Sequence, residues 1–171
     1  MRILKAFMNS IDVINERLGR LGSIIILAII LIGSIEVILR FVFRSPTNWS
    51  WELNSMLLCF YVGLAGGYTT LIDGHVRVDI FYEKCSLRQK AIIDLLLSFL
   101  FFTYVGIALW FLSKLAWNSF ADKEHLISTW AAPVYPVKIF LVLAVILVLL
   151  QGLVKFIRDL RVVITGRNHE H

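Results

Sequence analysis

Charge is scarce in this chain. Of its 171 residues only 17% are Asp, Glu, Lys or Arg, while 58% are nonpolar types. A soluble domain carries roughly 25% and 45–50%, so a soluble core of this length is excluded. Cysteine is scarce too. Cys59 falls in an apolar run and Cys85 in a charged connection. With no CxxC and no Cys/His cluster, neither a zinc site nor a disulfide framework is supported. The four histidines, His75, His125, His169 and His171, lie outside the apolar runs. Haem in a helical bundle needs axial ligands from the helices, so a bis-histidine haem anchor is poorly supported. The His169-Glu170-His171 end reads as a frayed tail rather than a metal site. No phosphate-cradling loop and no nucleophile–base pattern occurs. The chain therefore reads as a non-enzyme, with no catalytic, cofactor-binding or metal-binding residues.

Two further absences narrow the class. None of the three prolines interrupts an apolar run, whereas transporters usually build their substrate sites on discontinuous helices. A self-sufficient transporter or channel is disfavoured. The net charge of +5 is not gathered in one basic patch, so no nucleic-acid partner is expected. The first long apolar run starts near Leu21, is too long for a signal core and lacks a small-x-small exit site. No cleavable signal peptide is expected.

What is present comes in blocks of about twenty residues, the length that crosses about 30 Å of hydrocarbon. Backbone groups in lipid must be satisfied within their own segment, so the blocks are helices. The expected fold is all-α and integral to the membrane, a single domain over 1–171 with four transmembrane helices at 21–43, 53–72, 91–112 and 136–157. An N-terminal amphipathic interfacial helix precedes them at 3–20, and a tail follows at 158–171. In that N-terminal stretch Ile3, Leu4, Phe7, Met8, Ile11, Ile14 and Leu18 recur at three- and four-residue steps, which is helical periodicity. Two readings are open for it: an anchor lying in the membrane interface, or an arm packed on a partner subunit. Lys and Arg crowd the N-terminal segment, the second connection and the C-terminal end. The positive-inside rule places both termini in the cytoplasm and the first and third connections outside.

Two ionised residues sit deep in the first span. Glu36 and Arg40 are four apart, with the acid N-terminal to the base, the favourable order for a pair on one helix face. They form either a self-paired couple near the interface or a polar contact on a face covered by protein. Asp94, at the start of the third span, complements the helix dipole. Trp49, Trp51 and Trp130 flank spans on the outward side, where tryptophan is enriched at the interface. Ser50 can cap the second helix, with Glu52 in its first turn. Pro133 stops the preceding segment from continuing as helix, and Pro136 suits the first turn of the fourth. Gly63 and Gly67 form a GxxxG pair that suits close helix packing.

The order of these motifs resembles one family. Arg40-Phe41, Trp49-Ser-Trp51-Glu52, the small-residue run Gly63–Gly67, Gly74-His75-Val-Arg-Val78-Asp79 and Ser128-Thr-Trp130-Ala-Ala-Pro133-Val-Tyr-Pro136 are similar to the DctQ-like small membrane subunit of tripartite ATP-independent periplasmic (TRAP) transporters. The resemblance implies a sodium-coupled symport system for organic acids, of dicarboxylate or sialic-acid type, in a bacterial inner membrane. It implies three partners: a large polytopic permease subunit that moves the substrate, a periplasmic substrate-binding protein, and membrane lipid. The small subunit would scaffold the large one and help dock the binding protein. Glu36 and Arg40 would then stabilise the helical unit or its contact with the large subunit. Trp49, Trp51 and Glu52 would shape the outward rim, His75 and Asp79 would order the cytoplasmic connection, and Pro133–Pro136 would stiffen the second outward loop. Two other classes are weighed against this: a haem- or quinone-linked membrane anchor, and a free-standing four-helix assembly factor.

Overall fold

A computed structural model of the chain describes residues 2–72 and 87–165. Every regular element among them is a helix: α1 (Arg2–Phe41), α2 (Ser50–Leu71), α3 (Leu87–Ala121) and α4 (Tyr135–Thr165). At 1.5 Å per residue they are about 60, 33, 52 and 46 Å long. Three are long and apolar enough to cross a membrane, over Ala6–Phe41, Ile92–Ala121 and Tyr135–Ile164. The second carries Asn54, Tyr61, Tyr68, Thr69 and Thr70 among its apolar residues and falls short of that mark. It is packed between α1 and α4, so it has less surface that must suit hydrocarbon.

The expected separation of residues 3–20 from the first span is not present. Nothing in the sequence breaks the helix there, since no proline occurs before Pro46, and α1 runs on through forty residues. Its apolar stripe is taken up in part by the chain itself. Met8 and Ile11 form a buried cluster with Val154 of α4, and Leu150 and Ile157 pack against it. Phe7, Ile14 and Leu21 stay exposed.

The helices pack in the order α1, α2, α4, α3. The first also meets α4 directly, while α3 packs chiefly on α4 and turns Leu96, Phe99, Tyr104, Trp110 and Trp117 outward. Close approach relies on glycine at Gly19, against Tyr68, at Gly152, against Phe101, and at both members of the GxxxG pair. A Cβ at Gly63 would come 2.7 Å from the Phe140 ring and 3.0 Å from Ala144, and one at Gly67 would collide with the Asn15 carboxamide. The GxxxG pair thus serves two neighbours, α4 at Gly63 and α1 at Gly67, and not one seam.

The connections 42–49 and 122–134 lie at the same end of the bundle, the loop end, where residues from both α2 and the connection 122–134 line one groove. The opposite end is where α1 meets the last turns of α4.

Candidate functional site

At the loop end Glu36 gathers four donor groups from two residues. Arg40 donates from Nη2 at 2.8 Å and from Nε at 3.2 Å to Oε1. Thr47, from the connection, donates its hydroxyl at 2.5 Å and its backbone N–H at 3.2 Å to Oε2. The Glu36 side chain is only 13% exposed, Arg40 54%. A carboxylate in an apolar helix is tolerable here because the chain reverses over it and fills both oxygens. One expectation is not met: Trp49, not Ser50, occupies the position before α2, with no side-chain cap, and the buried Ser50 is the first residue of the helix itself.

The connection 122–134 is held by its own hydrogen bonds. The end of α3 closes with Glu124 N–H to Ser119 O at 3.0 Å and Lys123 N–H to Phe120 O at 3.3 Å, a Schellman pattern with Lys123 in the left-handed region, φ 45°. Leu126 N–H donates to Ala132 O at 2.9 Å and Val134 N–H to Glu124 O at 3.0 Å, on either side of a bridge between His125 and Pro133. Glu124 also pairs with Lys138 on the first turn of α4, and that ammonium holds its carboxyl below the usual carboxylate range. Trp130 lies in this loop, partly exposed, and Pro136 is the second residue of α4.

Between this loop and the start of α2 is a groove of about 240 Å³, lined by Trp51, Glu52, Ser55, Met56, Cys59, Leu126, Val134 and Val137. Trp51 is 81% exposed at its edge. Oε2 of Glu52 is sealed from solvent and has no hydrogen-bond partner. The structure therefore brings Trp51 and Glu52 together with the loop that carries Trp130 and Pro133. Gly63 and Gly67 are at helix contacts away from this rim. His75 and Asp79 lie outside the described residues.

At the opposite end is a polar network that the sequence reading did not single out. Asn15 Nδ2 donates to Gln151 Oε1 at 2.8 Å and to Ile11 O at 3.1 Å. Gln151 Nε2 donates to Asp12 Oδ1 at 2.9 Å, and Arg158 pairs with Asp12 Oδ2. Asn15 and Gln151 are each 1% exposed. Nearby, Lys155 pairs with Asp94 at 3.5 Å; because the helix already begins at Leu87, Asp94 lies beyond the first turn where the dipole acts, and its partner is this cross-helix lysine. A polar residue in an apolar run (Gln151) and the small residue opposite its partner (Gly67) were the available signals.

Long apolar helices, tied by a polar contact at one end and offering a small rim at the other, define an integral membrane subunit. Among the described residues no cluster of His, Cys, Asp and Glu is arranged to hold a metal. The family described as tripartite ATP-independent periplasmic transporters, DctQ component, matches residues 29–162, most of the chain, and the chain belongs to that family. It is a small membrane subunit of a TRAP transporter, and its family is one of transporter components rather than enzymes. No curated protein and no solved structure matches it.

Proposed function

We propose that this chain is the passive scaffold of a sodium-coupled organic-acid symporter in a bacterial inner membrane. It braces the large permease subunit and offers its loop end to the periplasmic substrate-binding protein. In this reading all four helices span, both termini are cytoplasmic and the loop end faces the periplasm. Glu36, Arg40, Gly63 and Gly67 keep the helical unit together. Trp49, Trp51, Glu52, Trp130, Pro133 and Pro136 form the outward rim, and His75 and Asp79 order the cytoplasmic connection. The supporting observation is the family match together with the ionised groups at depth. Glu36, Asp12 and Asp94 all have partners within the chain, as in a structural unit whose charges hold helices together.

Uptake into vesicles tests this. The large subunit with the binding protein should transport only when this chain is present, and the chain alone should give none. Uptake by the isolated chain would overturn the scaffold role. In a cysteine-free background, Asp122→Cys should react with an impermeant thiol reagent from the periplasmic side and Arg17→Cys only after permeabilisation. The reverse pattern would invert the topology.

A further inference from the structure

The groove at the loop end has one charged lining residue. Glu52 stands among Trp51, Met56, Cys59, Leu126, Val134 and Val137, and its Oε2 is shut away from solvent with no hydrogen-bond partner. A buried carboxylate oxygen without a donor is costly, and native proteins rarely keep one. Among the described residues Glu36, Asp12 and Asp94 each have a partner, which Oε2 of Glu52 lacks. Its position in the first turn of α2 suits the helix dipole, but a dipole does not supply a hydrogen-bond donor to that oxygen.

We propose that this groove receives a lysine or arginine side chain of the large membrane subunit, whose charged head pairs with Glu52 while its aliphatic stem lies along the apolar walls. The chemistry selects the residue type. A long side chain with an apolar stem and a cationic head is the protein group that satisfies an acid at the bottom of an apolar cleft. Trp51, exposed at the edge, adds a face on which such a cation can rest. The cost of the unpaired acid selects the partner. A binding protein that comes and goes would leave Glu52 unsatisfied for much of each cycle, whereas a permanent subunit removes the cost once, at assembly. The inference rests on the scaffold reading above.

Two measurements on the co-expressed complex test it. With the wild-type chain, the large subunit should co-purify in mild detergent; if it does not, the scaffold reading falls and this inference with it. Given that result, Glu52→Gln should speed dissociation of the large subunit by roughly thirtyfold or more, the effect of breaking a buried charge pair. Dissociation at the wild-type rate overturns the pairing and leaves the scaffold reading intact. To separate loss of contact from loss of fold, a benzoylphenylalanine photoprobe replaces Met56 while Glu52 is kept. Its cross-linked peptide should come from the large subunit and contain Lys or Arg. A cross-link to lipid or to the binding protein, or none at all, overturns the proposal.

Discussion

Gln151→Leu tests the network that ties α1 to α4. The Gln151 carboxamide accepts from Asn15 at 2.8 Å and donates to Asp12 at 2.9 Å from a side chain 1% exposed. Leucine keeps most of the volume and deletes both bonds. Hydrogen bonds between membrane helices average about 0.6 kcal/mol and reach about 1.7, so the loss should be about 1–3 kcal/mol. Gln151→Ala also opens a cavity beside the fully buried Val154 and should cost about 3–5 kcal/mol. Reversible unfolding in mixed micelles of a mild detergent and dodecyl sulfate, followed by helicity, gives both values. Leu97→Ala, on the exposed face of α3, is the control. A double-mutant cycle with Asn15→Ala isolates the direct bond and should return a coupling of about 0.6–1.7 kcal/mol. If Gln151→Leu unfolds with the wild type and the cycle shows no coupling, the network does not hold the first helix to the last.

Three more expectations follow from the geometry. Gly63→Ala should lower the unfolding midpoint, because its Cβ meets the Phe140 ring at 2.7 Å, while Gly106→Ala, with nothing within 4 Å, should raise it by up to about 1 kcal/mol through helix propensity; equal effects would mean α2 does not approach α4 this closely. Thr47→Val should cost about 1 kcal/mol and raise protease cleavage between residues 42 and 49, and Glu36→Ala should do more, since Arg40 and Thr47 then lose their acceptor; an unchanged cleavage rate in both would dissociate the connection from Glu36. The carboxyl of Glu124 is depressed below its ordinary value of 4.5 by Lys138. Its contribution to the loop is therefore present above the unfolded pKa and lost as pH falls through the lower folded pKa. Intrinsic-rate-corrected amide exchange at Leu126 and Val134 should quicken on acidification below the ordinary carboxylate range, and Lys138→Met should weaken that dependence.

The sequence disclosed the helices more readily than their ends or partners. Apolar runs marked the bodies of α1, α3 and α4, but α3 continues nine residues past Leu112, to Ala121, because Ser113–Ala121 holds no glycine or proline to stop it. Residues 3–20 join the first span in the same way, with no proline between them and with Gly19 and Gly22 accommodated inside the helix. Spacing put Glu36 and Arg40 on one face, since i and i+4 are neighbours in any helix. Thr47 could not be foreseen, because its contact depends on how the chain turns after Phe43. Small residues marked Gly63 and Gly67 as packing positions without saying that their neighbours are different helices. Asn15 and Gln151 are separated by 136 residues, and no local pattern links them.

That separation bears on how the molecule is made. Met8, Ile11, Asp12 and Asn15 are synthesised well before the surfaces they rest on, around Gln151, Val154 and Arg158. Until α4 is in place the beginning of the chain has no finished seat. A nascent chain arrested at residue 150 would leave its opening turns undocked, and membrane quality control that senses loose amphipathic ends would meet them there.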